Sequence, residues 1–465
     1  MNDFSKTIAA VSTPRGKGGI AVIRLSGPDA VSVADRLFRP KSKSGRSLAE
    51  CAPRTAVFGT ILDAEDEPCD EGIATLFRAP HSFTGEDVAE IACHGGPAVT
   101  EAVFLSALAH GAVAAGPGEF TRRAFVNGRL SLTEAEAVGR LIDADTAERL
   151  ALSAGALRGN VSREIARISD GLLATMTALY AAIDYPEEDV GDEGEREIAG
   201  TLARALADVE RLLATYRTGR AVADGVRTVL SGRPNVGQSS VFNLMTGEES
   251  AIVTEIAGTT RDVLRETVSF GGVTLRLSDT AGVREASDAV ERIGVDRAER
   301  EIASAELILA VFDGSEPLAE EDRRLLSLLE RTDGAKIAVV NKEDRGIRLT
   351  EEDLARIDAA CGRRVTLAAT SGDGHRLAEA IGELFGSGTV DLRADAVIWD
   401  VRQRQALEQA RTALSGACEA IGRGDPIDCV CTLAEEAMAA LNETDGRGVD
   451  EEIIGEIFKR FCVGK

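Results

Sequence analysis

The chain reads as a multi-domain protein built from α/β and all-α parts: an α+β N-terminal domain, a helical bundle, and a phosphate-loop domain with a parallel-type sheet inserted into that bundle. Three observations predict this. The apolar stretch Val226–Leu230 runs into a glycine-bracketed turn, Gly232-Arg-Pro-Asn-Val-Gly237, and then into a helix start. Further apolar strands at Val273–Leu277, Leu307–Phe312 and Ile337–Val340 alternate with helical segments, the order of a parallel sheet with crossover helices. Helical stripes flank this module on both sides. Before it come Ile165, Ile168, Leu172, Met176, Leu179 and Ile183, then Ile198, Leu202, Leu206, Val209 and Leu213; after it come Trp399–Ala420 and Leu433–Leu441. Helices before and after an inserted domain can close into one bundle.

In chain order, residues 1–120 are expected to form the α+β domain, with a strand over Ile20–Leu25 and a helix ending at Leu37. Arg15-Gly-Lys-Gly-Gly19 reads as a turn, His94 as structural, and the arginine-containing stretch Gly116–Arg129 as a solvated loop. Residues 121–219 form the first helical part, with capping-box spacing at Thr133-Glu-Ala-Glu136. Its acidic run Glu187–Glu197 reads as a solvated connection. The inserted domain takes 220–384, and 385–465 form the second helical part, whose end Phe461-Cys-Val-Gly-Lys465 is by residue type a frayed tail.

With 465 residues and 44% hydrophobic content, the chain can bury several cores. A formal charge of -24 excludes bulk electrostatic capture of nucleic acid, so contact with RNA must be local or delegated to a partner. Eight scattered cysteines without a Cys-x-x-Cys pair, and only four histidines, exclude the usual zinc spacings and fit a reducing compartment. No leader pattern or membrane-length apolar run is present, so a cytoplasmic protein is expected.

The chemistry is concentrated in the inserted domain. Glycines at 232 and 237 let backbone N–H groups converge on phosphate oxygens, and the following helix offers its positive end. Ser239 is then placed to bind Mg²⁺. The residue before it should be a lysine reaching the β- and γ-phosphates; it is Gln238, which donates a hydrogen bond but carries no charge. Alone, this stretch fits an ordinary strand-turn-helix as well. Downstream spacing favours a nucleotide site. Gly258-Thr-Thr-Arg-Asp262 supplies Thr260 for the same Mg²⁺. Asp279-Thr280-Ala281-Gly282 ends a strand, with an aspartate for the metal's water shell and Gly282 N–H for the γ-phosphate. Asn341-Lys342-Glu343-Asp344 ends another, and the Asp344 carboxylate can accept two N–H bonds from a guanine edge. The nucleotide is therefore expected to be guanine-based. Val283 stands where many GTPases carry a water-orienting glutamine, so another group must position the attacking water.

With these pieces in place, the chain resembles, over nearly all its length, the bacterial tRNA modification GTPase family MnmE, also called TrmE. Beyond the GTPase motifs the resemblance rests on Thr84-Gly-Glu-Asp87, His94-Gly-Gly96, Gly118-Glu-Phe120, Arg123-Ala-Phe125 and Phe461-Cys-Val-Gly-Lys465. It implies a folate-binding N-terminal domain and a homodimer. It also implies a separate FAD-containing subunit and addition of a carboxymethylaminomethyl group to carbon 5 of the wobble uridine of certain tRNAs, with tetrahydrofolate supplying the methylene carbon. By position it implies folate contacts at Arg24, Glu86, Arg129 and Lys465, with Cys462 a possible one-carbon site. Arg129 and Gln238 depart from the lysines expected at those places. For GTP the resemblance implies contacts along Asn235, Val236, Gly237, Gln238, Ser239 and Ser240, and along Thr254, Glu255, Ile256, Ala257, Gly258, Thr259 and Thr260. A K⁺ ion would sit among Asn235, Thr254, Ile256 and Thr259, and Glu291 would be the catalytic glutamate. Two other readings stay open: a GTP- and folate-binding scaffold with weak turnover owing to Gln238, and a ribosome-assembly GTPase, which would need a basic RNA-binding appendage that neither flank offers.

Overall fold

Alternation along Ile20–Leu25 buries Ala21, Ile23 and Leu25 and leaves Ile20 exposed, as expected of a strand with one face on a core. In the computed structural model, which describes residues 5–41, 46–184, 191–250, 265–278, 300–449 and 451–464, contacts divide the chain into two compact units. One comprises residues 1–139 with 445–465, the other residues 140–444.

In the first unit, strands β1 (Ile8–Val11), β2 (Ile20–Ser26), β3 (Phe38–Pro40), β4 (Val57–Leu62), β5 (Pro68–Phe77), β6 (Val88–His94) and β7 (Val113–Ala114) form a sheet in the order β3-β4-β5-β6-β2-β1-β7. All neighbours run antiparallel except β1 and β7. Helices Ala30–Leu37 and Pro97–Ala109 supply the core over one face, with Val33, Leu37, Val103 and Ala107 buried against Ile23, Leu25 and Ile91. Strand β1, only four residues long, precedes the strand that the sequence shows first.

The expected solvated loop at 116–129 is instead a helix, Glu119–Val126, with Phe120, Arg123 and Ala124 buried. The next helix, Leu132–Ile142, is capped by Ser131 rather than Thr133. The Glu134 amide donates to Ser131 Oγ at 3.1 Å, and the Ser131 amide donates to Glu134 Oε2 at 2.8 Å. Leu132 and Ala135 then meet Ile454 and Phe458 of the helix Glu451–Lys459.

In the second unit, the expected stripes make a bundle. Helices Asn160–Asp184, Gly191–Ala223, Val401–Arg423 and Ile427–Thr444 share a core containing Ile168, Leu172, Leu202, Val209, Leu407, Leu414, Val430 and Leu441. Residues between the second and third of these helices form a second sheet. Its strands are β8 (Val226–Ser231), β9 (Arg265–Phe270), β10 (Val273–Ser278), β11 (Leu307–Asp313), β12 (Ala335–Asn341) and β13 (Arg364–Thr366), in the order β13-β12-β11-β8-β10-β9. All pairs are parallel except β9 with β10, and β11 is buried along its whole length, as a central strand covered on both faces must be.

The chain's return into the bundle is held by close packing. Asn160 Nδ2 donates to the carbonyls of Arg393, Ala394 and Asp395 at 3.0, 3.3 and 3.2 Å. A Cβ on Gly219, within the helix Gly191–Ala223, would lie 2.1 Å from the Ile398 carbonyl oxygen. Helix propensity alone favours alanine there by about 1 kcal/mol, but forcing a methyl against a fixed backbone atom costs about 1–3 kcal/mol. Gly219→Ala is therefore expected to lower the urea midpoint of unfolding; a raised midpoint would show that the contact yields.

Candidate functional site

Strands β8, β11, β12 and β13 end on the same side of the second sheet, where ligands of parallel α/β sheets bind. From β8 the chain turns through Gly232–Gly237 and enters the helix Gln238–Ser250. The turn takes positive φ at Asn235 (65°) and Gly237 (97°). Glycine is required by approach as well as by φ: a Cβ at Gly232 would lie 2.4 Å from the Val311 carbonyl oxygen, and one at Gly237 2.2 Å from Asn341 Nδ2. A cradle of bare backbone ahead of a helix N-terminus is what phosphate oxygens need.

The expected base-reading segment is bonded directly to this loop. Asn341 is buried at the end of β12; its Nδ2 donates to the Val236 carbonyl at 2.9 Å, and its Oδ1 accepts from the Ala369 amide at 2.9 Å. Lys342, with φ of 65°, donates from Nζ to the Asn235 carbonyl at 2.7 Å and to Asp313 Oδ2 at 2.5 Å. Burial pushes the Asp313 carboxyl up, but hydrogen bonds from Lys342 and Ser315 outweigh that and hold it below the ordinary range. Asp344 sits exposed in the turn Glu343–Arg345, able to meet an incoming ring. Asn235 and Ser239 are exposed at the loop, while Val236 is buried beneath it and Ser240 is half-buried.

Gln238 turns inward, its Nε2 donating to the Gly232 carbonyl at 2.8 Å, so the amide spans the loop. Arg233 is paired with Asp322 at 3.1 Å and Glu316 at 2.8 Å. Three participants escaped the sequence reading: Asp313, Arg233 and Ala369. For Ala369 the available signal was a run of small residues, Ala368–Ser371, just after β13. Thr254, Glu255, Ile256, Ala257, Gly258, Thr259, Thr260, Asp279, Thr280, Ala281, Gly282, Glu291 and Lys465 lie outside the described residues.

In the first unit, the loop Phe83–Glu86 gathers the other candidates. Arg24 pairs with Glu90 at 2.9 Å, and its guanidinium stands 5.7 Å from the centroids of both Phe83 and Phe120. The Arg129 stem lies on the same loop, its Cγ 3.1 Å from where a Gly85 Cβ would be. Glu86 accepts from Ser26 Oγ at 2.6 Å and from Arg123 Nη1 at 3.1 Å. The C-terminal segment is not frayed: Pro117 pairs with Val463 as a β-bridge, Gly118 N–H donates to the Cys462 carbonyl at 3.3 Å, and Ser12 Oγ donates to the Gly464 carbonyl at 3.1 Å. Cys462 itself is exposed.

A glycine loop between strand and helix, held from below by an Asn-Lys-x-Asp strand end, defines the class: a guanine-nucleotide GTPase module, here carried between the halves of a helical bundle. Residues 7–129 match the family described as GTP-binding protein TrmE N-terminus, and residues 132–462 match the MnmE helical domain. The tRNA modification GTPase MnmE of Symbiobacterium thermophilum is 42% identical over 463 residues, covering 99% of each chain. That of Geobacillus kaustophilus is 42% identical over 471 residues, covering 100% of each. Among solved structures, the G domain of the T. maritima FeoB iron transporter aligns at 24% identity with a TM-score of 0.26, over 35% of this chain and 99% of that one. The chain belongs to the MnmE family of tRNA modification GTPases. Among the described residues no helix is long and apolar enough to cross a membrane.

Proposed function

We propose that the protein hydrolyses GTP with Mg²⁺ and K⁺ and, together with an FAD-containing subunit, adds a carboxymethylaminomethyl group to carbon 5 of the wobble uridine of certain tRNAs. The observation that carries this is the bonding of Asn341 and Lys342 to the carbonyls of Val236 and Asn235, in a chain 42% identical to MnmE proteins along its length. It holds the base-reading strand end and the phosphate loop in one register, so that a guanine on Asp344 brings its phosphates over Gly237–Ser240.

In this reading Ser239 and Thr260 hold Mg²⁺, while Asp279 and Gly282 attend the metal's water shell and the γ-phosphate. Lys342 would lie along the base, and Asn235 with the backbone of Thr254, Ile256 and Thr259 would hold K⁺. That cation supplies charge that an arginine would otherwise bring, and Glu291 orients the water. The exposed Asn235 side chain supports its part.

Arg24, Glu86, Arg129 and Lys465 take a tetrahydrofolate derivative in this proposal, with Cys462 near the one-carbon unit. A cation beside two aromatic rings and a carboxylate on one loop suit a flat heterocycle with an N–H edge. The working division is 1–120 for one-carbon chemistry, 220–384 for GTP and 121–219 with 385–465 for the helical body; by its contacts, 445–465 lies in the unit of residues 1–139. The functional form is a cytoplasmic homodimer with the tRNA grip largely on the partner subunit, which suits a net charge of -24.

A second reading, a nucleotide- and folate-dependent scaffold with weak turnover, is favoured by one observation: the Gln238 amide is neutral and already bonded to the Gly232 carbonyl. The tRNA assignment is tested by wobble-nucleoside analysis in a strain lacking this protein. Loss of the modified uridines is expected, and their persistence would refute the assignment.

A further inference from the structure

Arg123 is 1% exposed, and neither the GTP chemistry nor the folate contacts above use it. Its guanidinium joins carboxylates from two different elements. Nη1 reaches Glu86 Oε1 and Oε2 at 3.2 and 3.1 Å and the Lys6 carbonyl at 3.0 Å, and Nη2 reaches Glu119 Oε1 at 3.0 Å. The second Glu119 oxygen accepts from the Gly116 amide at 2.7 Å and so closes the turn Gly116–Gly118. That turn is the seat of the C-terminal segment, through the Pro117–Val463 bridge and the bond from Gly118 N–H to the Cys462 carbonyl. It tolerates little change in shape, since Gly118 has φ of 62° and a Cβ there would lie 2.7 Å from the Phe458 carbonyl.

We propose that Arg123 is a positioning residue that couples the seating of Phe461–Gly464 to the Glu86 loop, so that a reduced folate held at that loop also restrains the Cys462 thiol. This rests on the folate reading above. The physical reason is the planar fork of one buried guanidinium, which cannot follow Glu86 without drawing on Glu119. A buried charge also keeps both partners engaged, because releasing either leaves ionised groups unpaired away from water. Through Glu119 and the Gly116 amide the displacement arrives at the residues that hold the tail.

The test uses the full chain carrying Cys429→Ser, which removes the other exposed thiol. The readout is the rate at which a maleimide modifies Cys462, with and without 5-formyltetrahydrofolate. In this parent the folate slows labelling about fivefold, the factor that one ordinary hydrogen bond is worth in a local opening equilibrium. Arg123→Lys keeps the charge but loses the fork, and Glu119→Gln keeps an acceptor for Gly116 but loses the charge pair. Both label faster than the parent without folate and lose most of the slowing. Parent-like rates and slowing in both variants overturn the proposal. Should Arg123→Lys fail to fold by circular dichroism, Glu119→Gln decides alone. Absence of any folate binding to the parent by calorimetry refutes the folate reading and with it the ligand half of the coupling; the folate-free rates then still decide whether Arg123 seats the tail.

Discussion

Replacing Gln238 by lysine is expected to raise GTP affinity or turnover about ten- to a hundredfold, because a charge-assisted hydrogen bond to phosphate is worth about 1.5–3 kcal/mol over none. The lysine would bring a formal charge to a loop whose neighbouring cations are committed elsewhere: Arg233 to Asp322 and Glu316, and Lys342 to Asp313. Gln238 offers only an amide, engaged with the Gly232 carbonyl. GTP binding by calorimetry and phosphate release in potassium buffer, wild type against Gln238→Lys, check the expectation. Equal values would mean that Mg²⁺, K⁺ and the loop's backbone already neutralise the phosphates.

Asp344→Asn is expected to act on the base rather than the phosphates. A carboxylate accepts both N–H groups of the guanine edge, whereas an amide brings one donor into that edge and loses the charge, a loss of about a hundredfold or more in GTP affinity. Xanthosine triphosphate, with a carbonyl where guanine has an amino group, should gain relative to GTP. Because Asp344 is exposed in its turn, the fold should not suffer. Retained GTP preference in the variant would place base recognition elsewhere.

Much of this site was legible because its parts obey local rules. Gly232 and Gly237 mark a turn by backbone need, and β8, β10, β11 and β12 are apolar runs ended by polar residues with a recognisable spacing. The bundle stripes were legible for the same reason, since period and burial agree from Ile165 to Leu179. What escaped depends on tertiary neighbours. An arginine in a stretch rich in glycine reads as solvated; only the meeting of Glu86 and Glu119 around it allows Arg123 to be buried. The terminal Phe461–Gly464 reads as frayed because its partners at Ser12, Pro117 and Gly118 are more than three hundred residues away. Two capping boxes overlapped, at Ser131–Glu134 and Thr133–Glu136, and the first prevailed where Leu132 and Thr133 are buried.

The central claim is that a guanine-specific, cation-assisted phosphate site lies in the segment inserted within the helical body. The most direct measurement is phosphate release by the full chain at millimolar GTP with Mg²⁺, in K⁺ against Na⁺. Faster release in K⁺, with ATP inert in both, is the predicted result. Neither binding nor hydrolysis of GTP with both cations supplied would contradict it.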